Sequence, residues 1–216
     1  WHSISRTFAG QTQDEVAGFF NSYVGLEMPF ETIFFWLVCL LLNTWILSKG
    51  LSGGVEKVAK IGMPLLIVFG VFLAIMAFNV EAGVAGAIND ASVGLNFLWT
   101  PDFSTIWSPK IWLAAAGQIF FTLSVGMGSI QCYASYVKKN DDIALNAMSA
   151  GWMNEFVEVV LGAAIIIPIS VGYLGVDRVL EMTQTGGLGL GFKTLPFLFE
   201  QWGTVLAILC GVCWFG

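Results

Sequence analysis

Charge is scarce in this sequence of 216 residues: 9 Lys and Arg with 15 Asp and Glu amount to 11% of the chain, against 56% hydrophobic residues and a mean hydropathy of +0.78. That composition excludes an ordinary soluble domain. Basic clusters are missing too, with nothing larger than Lys138–Lys139 and a sequence pI of about 4.6, so a nucleic-acid surface is excluded. The one histidine is His2, and the four cysteines (Cys39, Cys132, Cys210, Cys213) all lie in apolar stretches. Cys210-x2-Cys213 is a metal half-site without a second half, which reads as structural. No signal peptide precedes the first segment; the chain opens on Trp1 and stops on an apolar run at Gly216, so both ends are expected to be cut. Disorder is excluded by 18 Phe and 9 Trp.

What the chain does have is long uncharged runs, at 32–48, 61–80, 111–137, 159–176 and 201–216. Each is long enough, or nearly so, to cross about 30 Å of hydrocarbon as a helix. The ten-residue alternation of a barrel is absent, and only helices or closed barrels satisfy the backbone in lipid. The expected fold class is therefore all-α: a polytopic helical membrane protein, residues 1–216 forming one transmembrane domain. Helices are expected at about 31–48, 61–79, 111–137, 143–172 and 203–216, after a helix stub at 1–8. Between them lie a polar stretch at 9–30, a Gly/Lys stretch at 48–60, a Pro-punctuated loop at 80–110, the KKNDD turn at 138–142 and a Gly-rich loop at 175–200.

Alternation of the spans puts 48–60 and 138–142 on one side and the other loops opposite. The first side holds Lys49, Lys57, Lys60, Lys138 and Lys139 against Glu56, Asp141 and Asp142, while the long loops on the second side are mostly acidic. Lysine-bearing short loops are cytoplasmic by the positive-inside rule, which makes 9–30, 80–110 and 175–200 external.

Two segments carry candidate chemistry. The run 111–137 would make a helix of roughly 40 Å, yet its centre, Thr122-Leu123-Ser124-Val125-Gly126-Met127-Gly128, is poor helix-forming material. One reading is a broken helix whose freed carbonyls face a cation or ligand. The other is a small-residue face that lets a neighbouring helix approach closely. In the next span, Asn154 and Glu158 are four apart and share a helix face, with Glu155 displaced by about 100°. Carboxyls in hydrocarbon cost about 3 kcal/mol each on insertion scales, which suggests a polar cavity. The bland alternative is that both acids snorkel into water from the first turns. Together the two segments offer neutral and anionic oxygens, a donor set for a hard cation such as sodium.

The stretches GLNFLWTPDF (94–103), GQIFFTLSVGMGSI (117–130), YASYVKK (133–139) and NEFVEVVLG (154–162) resemble the neurotransmitter:sodium symporter family, above all its bacterial amino-acid transporters. KVAKIGMP (57–64) and GLGLGFKTLPFLF (187–199) extend the resemblance over about residues 23–200. The resemblance implies a leucine-transporter-like bundle of two inverted five-helix repeats, with broken helices at mid-membrane around substrate and sodium; the break would fall near 124–128. This chain would run from within the third helix to the early eighth, and so hold roughly half of a binding site.

Residue by residue, the resemblance implies that Thr122 and Asn154 are sodium ligands. Phe121 would be the aromatic lid, and its carbonyl with those of Thr122 and Ser124 would face the substrate ammonium. Met127 would form the side-pocket wall where the family's leucine transporter carries Phe, a flexible replacement. Gln118 and Phe121 would belong to the external gate, Ser135 and Tyr136 to the internal one. Glu158 stands where animal members carry serine and bind chloride. It would supply that negative charge covalently, making transport chloride-independent, and its protonation could support proton antiport.

The bland reading is kept for several features. Pro64 and Pro168 are expected to kink helices, and Trp36, Trp45, Trp107, Trp112, Trp202 and Trp214 to be belt or packing residues. The Gly-rich 186–191 stretch has no Lys-Ser/Thr at phosphate-loop spacing. The expected function is sodium-coupled symport of an amino acid or related small zwitterion by alternating access in a bacterial cytoplasmic membrane. Its partners would be substrate, sodium and lipid, with no nucleic acid and no organic cofactor, and a homodimer is allowed. A non-transporting receptor or scaffold of the same fold is the alternative. An intramembrane enzyme using Glu155 and Glu158 is disfavoured, because no His, Cys or Ser partner stands at useful spacing.

Overall fold

A computed structural model describes residues 2–183 and 189–215. Among them every regular element is helical. Two compact units are formed, one from residues 1–98 with 164–216 and one from 99–163, and each is described by itself.

In the first unit, residues 2–10 are a succession of turns rather than the expected stub at 1–8, closed by Thr7 N–H to His2 C=O (3.0 Å) and Ala9 N–H to Arg6 C=O (3.1 Å). Arg6 sits in the left-handed region (φ 54°), which ends any helix begun there. The 9–30 stretch, expected to be polar loop, contains helix α1 (Gln13–Val24). Its start is fixed by a capping box: the Thr12 hydroxyl accepts from Glu15 N–H, and the Glu15 carboxylate accepts from Thr12 N–H. The Thr12 N–H and then the Thr12 hydroxyl, both donating to it, hold the Glu15 carboxyl below the usual carboxylate range. Val16 is its buried anchor.

Helix α2 (Pro29–Ser48) begins with Pro29 and is 20 residues long. Two of its polar side chains return to its own carbonyls, Asn43 to Cys39 (2.8 Å) and Thr44 to Leu40 (2.7 Å), so these donors need no partner from hydrocarbon. A π turn, Leu51–Val55, follows Gly50 (φ 73°) and leads into α3 (Glu56–Phe78). This helix starts five residues before the expected 61, because Glu56 and Lys60 pair at i,i+4 (2.7 Å) and are accommodated in its first turns. Pro64 lies inside it.

The expected loop at 80–110 carries helix α4 (Ala91–Trp99). It docks on a later span: the N–H groups of Ile88 and Asn89 both donate to Gly172 C=O (2.8 and 2.9 Å), and Asn89 Nδ2 donates to Val171 C=O (3.1 Å). Gly94 lies so close to Pro168 that a Cβ there would stand 2.6 Å from the proline Cα. Small residues allow such backbone approaches in lipid, where packing replaces the hydrophobic drive.

Helix α5 (Pro109–Thr122), α6 (Ser129–Ala134) and α7 (Ile143–Glu155) belong to the second unit and are taken up below. The chain leaves α7 through a π segment, Phe156–Gly162, into α8 (Ala163–Leu174), so that 143–174 is one apolar helical rod of 32 residues. Helix α9 (Val176–Thr183), a π segment at Gly189–Thr194, α10 (Leu195–Glu200) and α11 (Thr204–Phe215) complete the first unit. Residues 186–188 of the Gly-rich stretch lie outside the described residues, as do Trp1 and Gly216. α3 and α11 pack together, burying Leu73, Ala74 and Ala77 from one and Ala207 and Cys210 from the other. Nearby, His2, Phe8, Phe19, Tyr23, Phe192 and Phe215 line an aromatic cavity of about 390 Å3.

Among the described residues three helices are long and apolar enough to cross a membrane: 29–48, 51–78 and 143–174. The run 111–137 is not among them, for a local reason.

Candidate cation and substrate site

The broken-helix reading of 111–137 is the observed one. α5 ends at Thr122, and the chain turns through 123–128 before α6 begins. The ending is a Schellman motif: Val125 N–H donates to Phe120 C=O (2.8 Å) and Ser124 N–H to Phe121 C=O (3.0 Å). Ser124 occupies the left-handed position (φ 55°), normally held by glycine; Gly126 (φ 88°) and Gly128 (φ 85°) complete the reversal. α6 also ends early, at Ala134 rather than 137, with Ser135 Oγ donating to Cys132 C=O (2.6 Å).

The break leaves carbonyls without backbone partners. Among the described residues no backbone N–H donates to the C=O of Thr122, Leu123, Val125 or Gly126. In hydrocarbon such acceptors demand a partner, and irregular backbone is tolerated there only beside a cavity or within protein. An L-residue in left-handed backbone costs about 1–2 kcal/mol, and a β-branched one is a genuine outlier. Ser124 already bears that cost, so Ser124→Gly is expected to hold or raise stability, while the β-branched Ser124→Val is expected to lower it by about 1 kcal/mol. The thermal midpoints of the two purified variants check this.

α7 is started by Asp142, whose carboxylate accepts from Leu145 N–H (3.0 Å), after a KKNDD turn in which Asp141 caps Lys138 N–H (2.8 Å). At its far end Asn154 meets α5. The Asn154 Nδ2 donates to Thr122 Oγ1 (2.9 Å), and Thr122 Oγ1 in turn donates to Glu158 Oε2. Gln118 Nε2 donates to the other oxygen of the same carboxylate (2.5 Å). Two i,i+4 pairs, Gln118/Thr122 and Asn154/Glu158, thus face each other. A hydroxyl has one proton, so once Thr122 gives it to the carboxylate it can only accept from the amide. Among the described residues no Lys or Arg pairs with Glu158, so two neutral donors surround a carboxylate whose charge no basic side chain cancels. Charge-assisted bonds of this kind are the stronger ones, about 1.5–3 kcal/mol each.

The other candidates sit as follows. Glu155, one step round the helix, has no part in this chain of bonds. Phe121 and Met127 flank the break with their side chains largely exposed (68% and 56%). Ser135 and Tyr136 lie beyond α6 and are not bonded to the Gln118–Glu158 cluster. Sequence reasoning assigned Gln118 and Glu158 to separate duties and missed that they share a hydrogen bond; the paired i,i+4 spacings were the available signal.

The sequence model of the Sodium:neurotransmitter symporter family matches residues 11–214. The chain belongs to this family. Members of the family are transporters rather than enzymes. The chain is 32% identical to a sodium-dependent transporter of Haemophilus influenzae over 190 residues, covering 88% of this chain and 38% of that protein. It is 30% identical to the sodium-dependent transporter MJ1319 of Methanocaldococcus jannaschii over 206 residues, 91% of this chain and 40% of that one. A more distant relative is the bovine (Bos taurus) sodium-dependent neutral amino acid transporter B(0)AT2, 24% identical over 136 residues, 63% of this chain and 18% of the relative. The chain thus spans about two fifths of the length of the bacterial and archaeal relatives.

Proposed function

We propose that this chain contributes one transmembrane domain, and about half of the central site, to a sodium-coupled symporter of an amino acid or related small zwitterion. The observation that carries the reading is the helix break at 123–128, whose unbonded carbonyls adjoin the Thr122–Asn154–Glu158 cluster. Sodium is a hard cation that binds hydroxyl, amide and carbonyl oxygens. Thr122 and Asn154 supply the first two; for Asn154 to do so its amide turns its oxygen, rather than its nitrogen, toward the site. The carbonyls of Phe121, Thr122 and Ser124 are the acceptors proposed for a substrate ammonium, with Phe121 as lid and Met127 as side wall. Gln118 with Phe121, and Ser135 with Tyr136, are proposed as parts of the outer and inner gates. A relative named for neutral amino acids supports the substrate class.

Sodium and substrate stabilise the outward-open and then occluded states by differential binding, and the ion gradient drives accumulation. The fixed charge of Glu158 makes the cycle chloride-independent, and its protonation on the return step allows proton antiport. Placement in a bacterial cytoplasmic membrane, with 48–60 and 138–142 inside and 9–30, 80–110 and 175–200 outside, follows the lysine distribution. Homodimerisation is compatible with this arrangement.

The test is equilibrium binding of labelled neutral amino acids to the complete membrane-embedded polypeptide. Saturable binding in sodium that falls at least tenfold when choline replaces it is the expected result. Binding indifferent to sodium would favour a receptor or scaffold.

A further inference from the structure

The turns at 2–10 touch the end of the chain at two places. Arg6 Nη2 donates to Glu200 Oε2 (2.7 Å), and Arg6 Nη1 donates to Thr204 Oγ1 (3.0 Å). Glu200 is the last residue of α10 and Thr204 the first of α11; between them the chain reverses through Gln201–Gly203, with Gly203 at φ 86°. Seven residues on from Thr204, and so on the same face two turns along, Gly211 lies against Ser3, where a Cβ would stand 2.5 Å from the serine Oγ. The 2–10 segment therefore runs along α11 and reaches over its N-terminal end to grip the helix before it.

This grip is not a loose surface pair. The Glu200 side chain is only 11% exposed, against 36% for Arg6. The Arg6 Nε is buried without a hydrogen-bond partner, and its backbone is held left-handed. Unfavourable features of both kinds persist only where surrounding contacts over-determine the geometry. A carboxylate this buried is strongly destabilised when its partner is removed.

We infer that Arg6 is a positioning residue: its guanidinium clasps both sides of the 201–203 reversal and fixes the angle at which the external segment 189–200 meets α11. The inference rests on the proposed external placement of 175–200. With the clasp intact, Thr194, Leu195, Leu198 and Phe199 stay buried beneath it. With the clasp open, the reversal turns at Gly203 and the segment lifts.

Thr194 is the reporter site, since it is fully buried and its hydroxyl has no hydrogen-bond partner, so Thr194→Cys breaks no hydrogen bond and gives up one methyl group. In the complete membrane-embedded polypeptide, with Cys39, Cys132, Cys210 and Cys213 replaced, a membrane-impermeant methanethiosulfonate reagent is added from outside. Arg6→Gln is expected to raise the rate of Thr194→Cys modification at least tenfold, and Thr204→Val to raise it by a smaller factor. The exchanged pair Arg6→Glu with Glu200→Arg is expected to bring the rate back to within about threefold of the parent, which a generally loosened fold would not do. An unchanged rate in Arg6→Gln, or a raised rate that the exchange does not recover, overturns the clasp. If Arg6→Gln fails to fold, the decision falls to Thr204→Val and Glu200→Gln, which must show the same direction. Sodium-dependent amino-acid binding, measured alongside on the parent, tests the transport reading separately: its absence sinks that reading and leaves the modification rates to judge the clasp.

Discussion

Thr122→Val is expected to lower sodium affinity about ten- to a hundredfold, measured as the sodium concentration that half-saturates amino-acid binding. The substitution keeps the shape and removes the one atom that joins Asn154 to Glu158. Its hydroxyl donates to Glu158 and accepts from Asn154. Without it the carboxylate loses a charge-assisted bond and the amide loses its acceptor, a loss of about 1.5–3 kcal/mol, which converts to the stated range. Thr122→Ser keeps the hydroxyl and retains affinity within a few fold. If valine binds sodium as the parent does, the Thr122–Asn154 pair is structural and the cation sits elsewhere.

The second large effect is at Glu158. Glu158→Ser is expected to cut transport in chloride-free medium to a tenth or less of the parent's and to restore most of it when chloride is added. The reason lies in the two donors the carboxylate now satisfies. Gln118 Nε2 and Thr122 Oγ1 both point at it, and after the substitution they remain aimed at a space a small anion can fill. Chloride would replace the lost negative charge beside the bound cation. Glu155→Ser is the control, since that side chain is outside the bond network and should confer no chloride response. Full transport by Glu158→Ser without chloride would show that the charge is not used.

How much of this was readable beforehand varied with the range of the interaction. The break was legible because Gly126 and Gly128 stand where a continuous span wants Leu or Ala, and intrinsic propensity acts locally. The facing of Gln118/Thr122 with Asn154/Glu158 was half legible: each i,i+4 pair is set by helix periodicity, but which helix faces which is tertiary. α1 is announced only by Thr12 and Glu15, which carry the spacing of a capping box inside a stretch whose polar composition reads as loop. The start of α3 at Glu56 is hidden by its charge, which reads as a helix end, whereas an i,i+4 pair lets a charged turn remain helical. Arg6 with Glu200 could not be read at all, being 194 residues apart with no local pattern to announce them.

The Schellman ending of α5 has a bearing on how quickly an ion can load. Its closing bonds run from Ser124 and Val125 to carbonyls within the same segment, so nothing arriving from solution is needed to hold the kink open. On the proposed reading, a cation entering there would meet a seat already shaped, and its capture would not wait for a helix to unravel. Arrival by diffusion and shedding of the hydration shell, rather than refolding of the polypeptide, would then govern the first step of each cycle.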